Sequence, residues 1–244
     1  MIIHPVDPNL NIVRNGLKFW VDARIQTSYP GSGATWFDLS GNDYDATLNG
    51  NYAYQTDNGG RINFDGNNDY AEISSSLGSL FTTTNQNISY CMWLRPTVNQ
   101  ANNTIRILFN VYTTGFGGGR VLTIERTSGG QYRLTAGMFV TSTNRADSAA
   151  NISNPQNTWI NVVYLWDTDK YSIYLNGSEL TYTTQTSLTA DNNTSSTPIR
   201  IAGDFVLANP EFQGQIGSFM IYDRLLSSTE ITHNYNTQKV RFGL

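Results

Sequence analysis

Residues 159–180 read WINVVYLWDTDKYSIYLNGSEL, and this stretch decides the fold. Two runs rich in Val, Ile, Tyr and Trp flank the turn Asp167-Thr168-Asp169-Lys170. Such residues fit a pleated, half-buried surface, and a turn of this length joins antiparallel neighbours. The second run closes on Asn176-Gly177, a pair that tolerates the positive φ angles of a tight hairpin.

The same period-two signal extends in both directions. GLKFWVDA (16–23) sets Leu17, Phe19 and Val21 on one face, and RINF (61–64) sets Ile62 with Phe64. NISYCMWLRP (87–96) aligns Ile88, Tyr90, Met92 and Leu94, with Cys91 and Trp93 opposite. Bulk on both faces predicts a central strand in a two-layer structure. TIRILFNVY (104–112), GRVLTIER (119–126) and QYRLTAGMFV (131–140) read as a meander broken by TTGFGGGR and TSGGQ. TPIRIAG (197–203) and GQIGSFMIYDRLL (214–226) complete the set. One segment reads as helix: LSSTEITHNYNTQK (226–239) carries Ser227 with Glu230 three residues on, a capping box, and turns Ile231, Tyr235 and Asn234 inward. Roughly a dozen strands and one short C-terminal helix predict an all-β, two-sheet antiparallel sandwich of jelly-roll type.

Composition bounds the function. The 244 residues are 39% hydrophobic and 14% charged, with a net charge of −4 and scattered basic residues. No electrostatic footprint for nucleic acid is present. Cys91 is the one cysteine, so neither an intrachain disulfide nor a thiolate zinc cage can form. His4 and His233 stand near opposite ends of the chain. No apolar run approaches the roughly 20 residues of a membrane helix, and the first residues lack the pattern of a signal peptide, so membrane insertion is not expected. Residues 1–15, with Pro5, Pro8, Ile2, Ile3 and Val6, read as an arm, and residues 16–244 as one domain. The arm either lies on its own domain or attaches to a neighbouring subunit.

Two acidic stretches stand out, FDLSGNDYDATL (37–48) and NFDGNNDYAEI (63–73). Asp38, Asn42, Asp43, Asp65 and Asp69 supply the oxygen ligands that calcium takes, but neither loop follows an EF-hand template. The same residues are turn chemistry, because Asp and Asn bond to nearby backbone and tolerate left-handed conformations. The glycine-rich GFGGGR (115–120) precedes a strand rather than a helix and reads as a hairpin loop, not a phosphate cradle.

The order GLKFWVDA, TWFDLSGNDYDATL, NFDGNNDYAEI, ISYCMWLRP, WINVVYLWDTDKYSIYLNG and GQIGSFMIYDRLLSSTEITHNYN resembles the laminin-G-like branch of the concanavalin A-like lectin/glucanase superfamily, over residues 16–238. The resemblance implies a jelly roll whose closing strand IGSFMIYDRLL runs beside GLKFWVDA. It also implies calcium on rim loops, as many such domains carry. The ending NYNTQKVRFGL looks like the tails of such domains in tailed-phage virion proteins. That implies a virion surface protein (a capsid decoration, fibre or tail component) whose arm holds other virion proteins and whose lectin-like domain meets cell-surface glycans. The alternative is a free carbohydrate-binding module, with a glycan hydrolase as a third reading. The glucanases place paired Glu on one strand, the acid and nucleophile of a retaining site. Here the nearest two of the five Glu, Glu211 and Glu230, are 19 residues apart, so no catalysis is expected. A sugar site stacks a ring and hydrogen-bonds hydroxyls, and Tyr112, Phe116, Arg120 and Tyr132, with Tyr182, stand in or near loops where they could serve. Trp20, Trp93, Trp159 and Trp166 read as core.

Overall fold

A computed structural model describes residues 11–73, 77–78, 87–111, 120–138, 145–148, 152–167, 170–185, 198–203, 205 and 211–244. Its strands, in chain order, are β1 (Leu17–Asp22), β2 (Thr35–Trp36), β3 (Ala46–Asn49), β4 (Ala53–Gln55), β5 (Arg61–Asp65) and β6 (Tyr70–Ile73). There follow β7 (Ile88–Pro96), β8 (Thr104–Val111), β9 (Arg120–Arg126), β10 (Tyr132–Met138), β11 (Arg145–Ser148) and β12 (Ile160–Trp166). The last are β13 (Tyr171–Leu175), β14 (Ser178–Glu179), β15 (Tyr182–Gln185), β16 (Ile199–Ile201) and β17 (Gln213–Tyr222). The helix α1 (Ser228–Gln238) and a 3-10 turn (Lys239–Phe242) close the chain.

The strands form two antiparallel sheets, the jelly-roll sandwich that the sequence predicts. The first runs β14-β13-β12-β7-β17-β5-β4 with β1 also on β17, and the second β15-β11-β10-β9-β8-β16-β6-β3-β2. One apolar layer fills the space between them. Ile88, Tyr90, Met92 and Leu94 of β7 join Val162, Tyr164 and Trp166 of β12 and Phe219 and Ile221 of β17. Leu122, Ile124, Leu134 and Ile201 face them from the second sheet. This is the face that alternation assigns to β7, and β7 lies between β12 and β17 as its two-sided bulk predicts.

The opposite face of the first sheet is also buried. Trp20, Cys91, Val163, Leu165, Met220 and Tyr222 form a second apolar cluster with Ile12, Leu226 and Ile231. The cover is the C-terminal helix. Its capping box is formed: the Ser227 hydroxyl accepts from Glu230 N–H while the Glu230 carboxylate accepts from Ser227 N–H. Arg224 also donates to both Glu230 oxygens and holds that carboxyl down at about 2. Ile231, Asn234 and Gln238 are the buried residues of the helix, and Tyr235 stacks on Trp93 at 5.7 Å. Residues 11–15 are fixed here too. Val13 N–H donates to Asn234 Oδ1 at 2.9 Å, and His233 Nε2 sits 2.7 Å from the Asn11 carbonyl. Residues 1–10 of the expected arm lie outside the described residues.

β17 organises the site end of the molecule. One edge pairs with β7 throughout; the other pairs with β5 over Gln213–Ile216 and then with β1 over Ser218–Tyr222. The closing strand therefore runs beside the first, as the resemblance implies. The register shifts between Ile216 and Ser218. At that bulge Gly217 leaves space for the ring of Phe242, and its carbonyl takes Ala23 N–H at 2.9 Å.

Candidate functional site

The handover from β5 to β1 leaves part of the first sheet's outer face uncovered by the helix. On this face Ala53 of β4, Asn63 of β5, Gln215 of β17 and Arg95 of β7 stand in one cross-strand row. Asp65 and Gln213 form the next row. Alternation sets these polar positions outward because Ile62, Phe64 and Ile216 go to the core. The loop residues Asn51, Asp69 and Thr97 wall an open cleft of about 290 Å³ over them.

Two amides on this face differ in their bonding. Asn63 Oδ1 is buried with no hydrogen-bond partner among the described residues. Gln215 is 6% exposed, and its Oε1 accepts from Arg95 Nη1 at 3.2 Å. Arg95 also gives Nε to the Asn157 carbonyl at 3.0 Å. Buried polar groups are normally satisfied, so the Asn63 amide oxygen is an exception beneath a cleft otherwise lined by amide and carboxylate side chains.

The carboxylates are placed differently. Asp69 is fully buried; it accepts Asn51 N–H at 2.5 Å and Asp65 N–H at 2.8 Å. Burial pushes its carboxyl above the ordinary value while these backbone donors oppose the shift. Asp65 Oδ1 accepts Asn67 N–H at 2.7 Å, and Glu211 accepts Asn68 N–H. The other acidic loop is stitched in the same manner. Asp38 accepts from the N–H groups of Trp20, Ser40 and Tyr44 and from the Ser40 hydroxyl. Asn42 Nδ2 donates to the Lys18 carbonyl at 3.1 Å, and Asp43 takes the left-handed conformation at φ 59°.

These two loops do not meet. Asp65 stands opposite Gln213, whereas Asp38 binds the backbone of Trp20, which stands opposite Met220. Seven strand residues separate those positions, roughly 23 Å at the usual rise. Asp38, Asn42 and Asp43 therefore cannot share an ion with Asp65 and Asp69. Among the described residues no three His, Cys, Asp or Glu side chains gather as metal ligands. The hydrogen bonds are those of the turn reading, and the five residues named from sequence are divided between two separate places.

The glycan positions read from sequence also divide. Tyr112 and Phe116 lie outside the described residues. Arg120 and Tyr132 are the first residues of β9 and β10, at the strand ends beside the loops, but their side chains point to the core. Arg120 is fully buried, its guanidinium 4.0 Å from the Trp166 ring centroid and donating to the Tyr90 hydroxyl at 3.3 Å. Tyr132 is 3% exposed; its hydroxyl donates to Asn99 Oδ1 and accepts Gln100 N–H. The reason is alternation: Arg120 shares its face with Leu122 and Ile124, and Tyr132 shares its face with Leu134 and Ala136, all core. Tyr182 stands on β15, where its hydroxyl accepts Ile173 N–H and donates to Glu179. The four tryptophans read as core are buried. Asn51, Asn63, Gln213 and Gln215 escape a reading of sequence alone. Outward polar positions show in the alternation, but their convergence depends on β5 pairing with a strand some 150 residues away, on the order of the whole chain.

A laminin-G-type family model, described as concanavalin A-like lectin/glucanases superfamily, matches residues 64–232, more than half of the chain. No curated protein matches in sequence. Among solved structures, domain 4 of AbnA, an extracellular GH43 arabinanase from Geobacillus stearothermophilus in complex with arabinotriose, superimposes with a TM-score of 0.66 at 16% identity. That match covers 90% of this chain and 98% of that one. The binding domain of botulinum neurotoxin DC in complex with rat synaptotagmin II gives 0.69 at 14% identity, covering 93% of this chain and 52% of that one. A Trypanosoma rangeli sialidase with a covalent difluorosialic acid intermediate gives 0.65 at 15% identity, covering 93% and 33%. This chain thus spans about half of the toxin chain and a third of the sialidase. At these identities the likeness is one of fold.

Proposed function

The chain belongs to the concanavalin A-like lectin/glucanase superfamily, and from that premise we propose that it is a non-enzymatic glycan-binding domain that works through the cleft beside β5 and β17. The observation that carries the proposal is the group of amide side chains that line the cleft. Asn63, Gln213, Gln215 and Asn51 offer neutral donors and acceptors on a face where the rest of the sheet is packed. Sugars are read by such groups, since each hydroxyl both donates and accepts. The arabinotriose-bound arabinanase domain supports this, because it matches nearly end to end.

A hydrolytic role has little to draw on. Glu72 pairs with Arg200, Glu125 with Arg133 and Glu230 with Arg224. Glu179 accepts from Tyr174 and Tyr182, and Glu211 from a backbone N–H. None faces a second Glu among these contacts, and the two carboxyls that do line the cleft, Asp65 and Asp69, each accept backbone N–H bonds, whereas glycoside hydrolysis needs two carboxyl groups that flank the sugar linkage.

We place the domain on a virion surface, attached to other virion proteins through the N-terminal arm. The similarity of NYNTQKVRFGL to phage tails supports this placement. In this fold part of that stretch also packs inward, since Phe242 stacks 4.3 Å from Trp93 and 4.5 Å from Trp159. Attachment is therefore assigned to the N-terminal arm. The purified chain is expected to bind oligosaccharides with a Kd near 1 mM, about −4 kcal/mol, because none of the described lining residues presents an exposed ring to the cleft. Titration by calorimetry against a panel of neutral and acidic trisaccharides checks it; no binding to any would sink the proposal. Copurification with assembled particles, lost on removal of residues 1–10, checks the placement.

A further inference from the structure

Resting on that glycan reading, we infer that the cleft takes oligosaccharides that carry a carboxylate, with Arg95 as the residue that reads the acid group. Arg95 stands opposite Gln215 on the outer face of the first sheet. Gln215 and Thr97, two residues on from Arg95, both line the cleft, so the guanidinium borders it on the β7 side. Arg61, Arg133, Arg200 and Arg224 each pair with a carboxylate. Arg95 is held differently. Among the described residues its bonds go to neutral acceptors alone, the Asn157 carbonyl through Nε and Gln215 Oε1 through Nη1. Two bonds at different nitrogens fix the plane of the group, so a ligand meets it already ordered. Nη2 makes no hydrogen bond among the described residues and is not buried, so its N–H groups open to solvent. A full positive charge held by neutral groups, with accessible donors left over, suits an anion. The planar guanidinium fork matches the two oxygens of a carboxylate, and such charge-assisted bonds are the strong ones.

The carboxylates of the cleft do not cancel this charge. Asp65 lies on β5, two strands across from β7 and one row along. At the usual spacings its backbone is roughly 12 Å from that of Arg95, more than a Debye length at physiological salt. Asp69 is fully buried and accepts the N–H groups of Asn51 and Asp65. Glu211 accepts the N–H of Asn68, in the loop between Asp65 and Asp69. The cleft is therefore polarised, cationic at β7 and anionic at β5. An acidic sugar fits it in one direction, with its carboxylate at Arg95 and its neutral neighbours toward Gln213 and Asn51.

The test uses the full chain and NMR titration with matched probes. Galactotriose, cellotriose and mannotriose are compared with the same trimers oxidised at one terminal C6 to the carboxylate, and with the methyl esters of those acids. An acid trimer is expected to bind about tenfold more tightly than its ester, the difference that a charge-assisted bond makes. It is expected to shift the Arg95 Nε–H signal, which the ester leaves in place. Arg95→Gln is expected to bring the acid down to the level of the ester while ester binding changes by less than about twofold. Arg95→Lys, which keeps the charge without the fork, is expected to retain part of the preference. Should Arg95→Gln unfold the chain, Arg95→Lys and the acid-to-ester ratio of the natural chain decide. Acid and ester bound equally, acid binding indifferent to Arg95→Gln, or a terminal 6-sulfate that outbinds the carboxylate overturns this inference and leaves glycan binding standing. Binding of no trimer overturns both.

Discussion

At the scale of single residues, the acidic loops show carboxylates used as backbone acceptors. Asp38 is the clearest. Three N–H groups and a hydroxyl converge on it, and they tie β1 to the loop that follows β2. Asp38→Ala leaves those partly buried donors without an acceptor, at a cost of about 2 kcal/mol. For a chain of this length that is roughly 4–8 °C in melting temperature. The drop is expected to be equal in millimolar calcium and in chelator, measured by calorimetric melts of both proteins. A loss confined to calcium would assign Asp38 to an ion instead. The sequence shows which residues are acidic and which are glycine, and so both turns are legible in it. It does not show where each carboxylate points. Asp38 and Asp69 look like the same motif and end about a strand's length apart, because β1 and β5 share β17 end to end. The cleft amides are hidden for a related reason: Asn63 and Gln215 are ordinary outward residues until register brings them opposite each other.

At the scale of elements, β17 shows how one glycine joins two pairings. A Cβ on Gly217 would come within 2.7 Å of Phe242 Cε1 and 2.8 Å of Cζ. That ring cannot yield easily, because it is stacked against Trp93 and Trp159. Gly217→Ala is therefore expected to cost about 1–3 kcal/mol by overpacking. The strain should appear first at the tail, as faster proteolytic trimming after Arg241 with the remaining core still folded. An unchanged melting curve and unchanged trimming would show that the ring is not seated as described. The longer elements are readable from sequence because period two or a capping box marks them. β7, β12, β13 and α1 are examples. β2, β4 and β14 have two or three residues each, too few for any period to show. The inner face of α1 is half legible. Ile231 follows the apolar rule, whereas Asn234 is buried because Val13 N–H and the Tyr222 hydroxyl need it.

At the scale of the whole molecule, the sandwich has a third layer. Bulk on both faces of β7 predicts a central place in a two-layer structure, and the structure gives it a more specific cause. One face meets the second sheet; the other meets α1, the C-terminal turn and residues 11–15. The cover is held by polar ties as well as packing. Arg241 Nη1 sits 2.9 Å from both oxygens of Asp22, and the two side chains are 5% and 0% exposed. A buried pair of this kind is costly to break, because the partner left behind keeps its charge without compensation. Removing residues 227–244 strips that partner from Asp22 and uncovers Trp93, Trp159, Met220 and Tyr222 together. Exposed apolar patches of that extent drive association rather than a stable monomer. The truncated chain is expected to lose its cooperative melt, bind a hydrophobic dye and sediment as aggregate, while Phe242→Ala alone keeps the fold with a loss of about 3 kcal/mol. A truncated monomer melting cooperatively within about 5 °C of the full chain, little more than 1–2 kcal/mol, would show that the two sheets are self-sufficient. The cover would then be an addition to the fold rather than part of it.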